Sequence, residues 1–117
     1  MPGKCIRGTV LEVNLDPVVG HETGKTRPCV VIQNDIGNAR SPVTIVAVIT
    51  GAEHARKRYP VDVFVRKGEG GLVKDSVVTC NQIKTVDESR LGRIYGVLTD
   101  ATMKRIDEAL KISLALW

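Results

Sequence analysis

The sequence predicts a mainly β fold with a C-terminal helix, a small β-barrel or curled antiparallel sheet. Three observations point there. The first two-thirds of the chain breaks into short runs rich in valine, isoleucine and threonine, separated by polar, glycine-bearing loops. The connections between these runs lack helical periodicity, which disfavours a parallel βαβ architecture. Only the last stretch repeats apolar residues at three- and four-residue steps. At 117 residues the chain reads as a single domain, 1–117, with one core.

Residues 7–15 (RGTVLEVNL) alternate in part and form the first strand segment. A long polar loop follows at 16–26 (DPVVGHETGKT). Residues 28–32 (PCVVI) and 43–49 (VTIVAVI) are near-continuous apolar runs, expected as strands covered on both faces. Between them, 34–42 (NDIGNARSP) reads as a turn-rich connection. After the polar, basic stretch 51–59, residues 60–66 (PVDVFVR) alternate cleanly. Residues 67–71 (KGEGG) form a loop, and 76–80, 82–86 and 93–98 supply further strands. Thr99 or Asp100 can cap the final helix, because a side-chain oxygen there accepts from free N–H groups of the first turn. Met103, Ile106, Leu110, Leu114 and Trp117 form a stripe that should cover the sheet. Ala109, Ile112 and Leu116 form a second apolar face, either buried within the chain or used as a subunit interface.

Composition narrows the function classes. Apolar residues make up 43% and charged residues 26%, the balance of a soluble globular domain. No apolar run reaches the roughly 18 residues of a membrane span, and Met1 to Gly8 lacks a secretory h-region. A cytoplasmic location is expected. Cys5, Cys29 and Cys80 are odd in number and form no CxxC pair. They read as small buried hydrophobes, and no metal or other cofactor is expected. A net charge of +4 suits a polyanionic partner. The aromatic set, Tyr59, Phe64, Tyr95 and Trp117, is too sparse for a base-stacking sheet. Nucleic acid, if bound, would be held mainly by charge and hydrogen bonds.

One constellation carries candidate chemistry. If the two apolar runs pair as an antiparallel hairpin centred on residues 38–39, Val43 faces Asn34 and Thr50 faces Arg27. Opposed side chains in such a ladder lie about 5 Å apart on one face. An arginine fork beside a threonine hydroxyl suits phosphate oxygens. The loop carrying His21 and Glu22 leads into the same end of the sheet.

Over nearly its whole length the sequence resembles the MazF/PemK family of toxins. The matching stretches are RGTVLEVNLDPVVGHETGKTRPCVVIQND (7–35), TIVAVIT (44–50), GLVKDSVVTCNQIKTVDESRLG (71–92) and GVLTDATMKRIDEAL (96–110). One departure stands at Thr9, where family members often carry Asp after Arg-Gly. The resemblance implies an SH3-like barrel, usually a homodimer, that cleaves single-stranded RNA without a metal. It implies a cognate antitoxin whose disordered tail lies over the RNA groove. The family's catalytic arginine falls on Arg27, its catalytic threonine on Thr50, its loop acid on Glu22 and the glutamine of its QI[RK]T motif on Gln82.

In this mechanism the ribose 2′-OH attacks, and donors stabilise charge gathering on the phosphate. Arg27 and Thr50 are expected in that role. Guanidinium stays protonated and is a poor base, so the proton acceptor is left open between Glu22 and His21. Lys25, Arg56, Lys57, Arg58, Lys74 and Gln82 are the expected RNA contacts, the Arg56-Lys57-Arg58 run foremost. Two other functions stay open. One is a CcdB-like gyrase poison, although Trp117 is not followed by that type's Gly-Ile. The other is a catalytically silent RNA-binding module.

Overall fold

The computed structural model describes residues 5–22, 24–55 and 58–116. Six strands form one antiparallel sheet: β1 Thr9–Asn14, β2 Thr26–Val31, β3 Val43–Gly51, β4 Asp62–Val65, β5 Ser76–Asp87 and β6 Leu91–Val97. Their spatial order is β4-β5-β3-β2-β1-β6. The sheet curls without closing, because β4 and β6 are its two edges. A 3₁₀ turn, Glu69–Gly71, packs beneath β6. The approach is so close that a Cβ on Gly96 would lie 2.8 Å from the Gly70 carbonyl carbon. Among the described residues no helix is long and apolar enough to cross a membrane.

The near-continuous apolar runs are explained by burial on both faces. Val30, Ala47 and Ile49 point into one cluster with Val63, Val65, Val78 and Leu98. Their neighbours Cys29, Val31, Val46 and Val48 point into a second cluster with Leu11, Val13, Leu15 and Val86. Cys5, Cys29 and Cys80 are all free and buried. Burial pushes the Cys29 and Cys80 thiols up to about 12, so they pack as hydrophobes.

The connection at 34–42 is not simply a turn. It contains a short helix, α1 (Asp35–Arg40), capped by the Asn34 side chain, which accepts from the Gly37 N–H at 2.8 Å. Buried Asn38 anchors it. Its amide nitrogen donates to the Gln33 carbonyl at 3.0 Å, and its amide oxygen accepts from the Thr44 hydroxyl at 2.7 Å. The two runs at 76–80 and 82–86 form a single strand, β5. Across Ala47 and Val48 of β3, its register jumps from Ile83 to Thr79, leaving residues 80–82 as a bulge.

Helix α2 (Asp100–Leu114) starts at Thr99, whose hydroxyl accepts from the Thr102 N–H at 3.2 Å. Its inward face keeps Met103, Ile106 and part-buried Leu110 of the expected stripe and also takes in Thr102 and Ala109. Thr102, Met103, Ile106 and Ala109 are buried, so Ala109 belongs to the core. Leu114 is 48% exposed, as is Ile112, and Leu116 is 55% exposed, so the end of the helix leaves apolar side chains open to solvent. Trp117 lies outside the described residues. Arg7 ties these parts together. Its Nε donates to the Ile32 carbonyl at 2.8 Å and its guanidinium pairs with Asp107 of α2 at 2.7 Å.

Candidate active site

The β2–β3 ladder sets Cys29 opposite Val48, Val30 opposite Ala47 and Val31 opposite Val46. Continued by two residues, the same register brings Arg27 opposite Thr50, as the hairpin argument expects. Both residues line one cavity of about 390 Å³. Its walls come from the start of β2, the end of β3, the 3₁₀ turn Ala52–His54, the segment before β5, and β6.

Arg27 is exposed, with its Nε donating a long 3.3 Å bond to the Gly24 carbonyl. Its side chain is open to solvent. Thr50 is half-buried. His54, Lys74, Ser76, Arg93 and Tyr95 add further polar side chains to its lining. Arg27, Lys74 and Arg93 give it three fixed positive charges, a setting for an anion.

Glu53 sits beside this cluster. Its carboxylate lies 2.5 Å from the Lys74 ammonium and 3.3 Å from His54 Nε2. The Lys74 hydrogen bond holds the Glu53 carboxyl below its ordinary range. On the far wall the Tyr95 hydroxyl donates to Glu12 at 2.5 Å, and the Arg93 guanidinium stands 5.4 Å from the Tyr95 ring centre. The bond to Glu12, with some burial, raises the Tyr95 hydroxyl above its usual range.

The other expected site residues distribute unevenly. His21, Glu22 and Gln82 share a separate depression of about 300 Å³ with Asn81, Ile83 and Lys84. Glu22 accepts from the Val19 N–H at 2.7 Å and lies 3.9 Å from the Lys84 ammonium. In this structure, then, neither expected proton acceptor lines the cavity holding Arg27 and Thr50. Lys25 is exposed at a positive φ of 62°, and its backbone N–H donates to Asp16. Arg58 stacks 4.9 Å over Phe64 and lines neither depression. Arg56 and Lys57 lie outside the described residues. Thr9 is buried away from the cavity.

His54, Arg93 and Tyr95 were not picked out in the sequence. Arg93 and Tyr95 stand two apart on β6, so alternation alone could have paired them on one face. Nothing local in the sequence marks His54, which reaches the cavity through the turn after β3. Among the described residues no group of three or more His, Cys, Asp or Glu is placed to hold a metal ion.

Residues 6–114 match the model of a family described as the PemK-like, MazF-like toxin of type II toxin–antitoxin systems. The chain is 47% identical over 110 residues to endoribonuclease EndoA of Bacillus subtilis, covering 94% of each. Its fold is similar to that of a mycobacterial endoribonuclease solved with its cognate antitoxin. That match has a TM-score of 0.80, 24% identity and 97% of each chain covered. MazF of Deinococcus radiodurans matches equally well, at a TM-score of 0.80, 21% identity, and 95% and 96% covered. With the family model spanning nearly the whole chain and a relative this similar along its length, the chain belongs to the PemK-like, MazF-like toxin family.

Proposed function

We propose that this chain is an endoribonuclease toxin that cuts single-stranded RNA through the substrate's own 2′-OH. The observation that carries the reading is the meeting of Arg27 and Thr50 in a cavity that also carries Lys74 and Arg93. The scissile phosphate binds among these cations. As the 2′ oxygen bonds to phosphorus, negative charge grows on the equatorial oxygens. Arg27 supplies forked donors to that charge, and Thr50 adds a neutral one. Lys74 and Arg93 hold the neighbouring backbone. Gln82, at the β5 bulge with His21 and Glu22, contacts RNA further along.

The chain works in the cytoplasm, as a homodimer, and is restrained by a cognate antitoxin. The solved relative named with its antitoxin supports the last point. An acidic antitoxin tail fits the cationic cavity and competes there with RNA. Dimerisation engages the exposed end of α2, where Ile112 and Leu116 lie open to solvent. The cationic cavity and the kinship with EndoA favour this reading over a gyrase poison.

The test is an RNA with one deoxyribose placed 5′ to the cut. It should bind and stay intact, while the all-ribose parent yields a 2′,3′-cyclic phosphate and a 5′-OH. Cleavage of the deoxy substrate at the same bond would refute attack by the 2′-OH. An intact all-ribose RNA would refute the nuclease reading.

A further inference from the structure

We propose that His54 is the group that removes the 2′-OH proton. The proposal rests on the ribonuclease reading and adds to it the proton acceptor that reading lacks. The attacking hydroxyl must lose a proton as its oxygen bonds to phosphorus, and a side chain with an available lone pair does this best. Arg27 and Lys74 carry protons at neutral pH and offer none. The Tyr95 hydroxyl is committed to Glu12 at 2.5 Å, and its raised pKa keeps it protonated. His21 and Glu22 line a different depression, and Glu22 is engaged by the Val19 N–H and Lys84. Among the described residues lining the Arg27–Thr50 cavity, the only imidazole is that of His54.

Its surroundings prepare it for the task. His54 Nε2 lies 3.3 Å from Oε1 of Glu53, the same oxygen that accepts from the Lys74 ammonium at 2.5 Å. The negative charge of the Glu53 carboxylate beside Nε2 favours the hydrogen on that nitrogen and leaves the lone pair on Nδ1, the tautomer the step uses. The charged and titratable groups that face His54 across the cavity are Arg27 from β2, Lys74 from the segment before β5, and Arg93 and Tyr95 from β6. Once the proton has moved, Glu53 steadies the imidazolium.

The step balances as follows. Nδ1 takes the 2′-OH proton while the 2′ oxygen forms its bond to phosphorus and the bond from phosphorus to the 5′ oxygen breaks. The departing 5′ oxygen takes a proton from water in the open cavity. The hydroxide so formed is neutralised by the imidazolium, which returns His54 to its neutral state.

The experiment compares the parent with His54→Gln and His54→Ala under single-turnover conditions across the pH range. Affinity is measured in parallel on the deoxy-substituted RNA. His54 is largely exposed, its side chain 68% accessible, so both variants should keep the parent's melting temperature. The expected result is a rate lower by about 10²–10⁴-fold, the usual contribution of a positioned base. Affinity should stay within about twofold. The acid limb of the parent's pH–rate profile should disappear, and added imidazole should restore part of the His54→Ala rate. A His54→Gln rate within about threefold of the parent, with the acid limb retained, overturns the assignment of His54 alone. A slow His54→Ala that keeps the acid limb and ignores imidazole also overturns it. A parent that leaves RNA intact overturns the reading on which the proposal rests.

Discussion

Replacing Arg27 by alanine separates chemistry from folding, because of where that side chain sits. Arg27 is exposed at the start of β2, and its Nε makes only a long 3.3 Å bond to the Gly24 carbonyl. Loss of such a contact changes stability by about 0.5 kcal/mol or less. In the proposed mechanism the same side chain faces transition-state charge that the ground state lacks. Removing one preorganised donor from such charge costs roughly 3–4 kcal/mol, or about 10²–10³-fold in kcat. Arg27→Ala should therefore melt with the parent while its kcat falls by that factor. Arg27→Lys should recover little, since a point charge does not reproduce a forked donor. Thr50→Val keeps the branched shape of a half-buried strand residue and deletes the hydroxyl alone. Its loss should be smaller, about fivefold to tenfold, for one neutral hydrogen bond of about 1 kcal/mol. The assay is single-turnover cleavage of a short RNA, with thermal melts of each variant. An Arg27→Ala protein that is folded and cuts at the parent rate would refute the reasoning.

Three further outcomes follow from the packing. Ile106→Ala empties a fully buried position under α2 and should cost about 2–5 kcal/mol in urea unfolding, against near zero for exposed Lys104→Ala. The Cys29 and Cys80 thiols ordinarily titrate at 9.0 and are raised to about 12 in the fold. The protonated thiol is thus the form the fold favours. Its contribution is fully present below pH 9 and is lost as pH rises toward 12. Chemical unfolding across that window should show stability falling, with a shallower fall in Cys29→Ser/Cys80→Ser if the thiols carry it. Charged residues at Ile112 and Leu116 should weaken self-association in sedimentation at micromolar concentration. A dimer unchanged by both would place its surface elsewhere.

Much of the fold is legible because it depends on local alternation and on burial. The two-sided apolar runs at 28–32 and 43–49 are strands between two core clusters, and Thr99 caps α2 as its hydroxyl allows. The hairpin register is legible as well, since an antiparallel pair has one arithmetic. Helix α1 is not, because Gly37 and Asn38 are turn formers by propensity. The Asn34 cap and the bonds of Asn38 to Gln33 and Thr44 hold the segment helical. Ala109 escapes the expected stripe for another reason: α2 packs on β4 and β5, and that packing, which spacing alone does not fix, buries Thr102 and Ala109 beside Met103 and Ile106. His54 is invisible from the sequence because a 3₁₀ turn, not a strand, carries it to the cavity. The split between His21 and Glu22 on one side and Arg27 on the other reflects the path of a loop whose positions no periodicity governs.

The Asn38 amide acts as a gauge for the active end of the molecule. By clamping Gln33 and Thr44 to α1, it sets how many residues the chain spends between β2 and β3. That count decides which residue of β3 stands across from Arg27. A slip of one position would turn the partner's side chain to the opposite face and leave the arginine without its hydroxyl. Loops usually tolerate changes of length, and residues 34–42 resemble one. Here a single inserted or deleted residue is a change to the proposed catalytic pair itself, made at the far end of the hairpin.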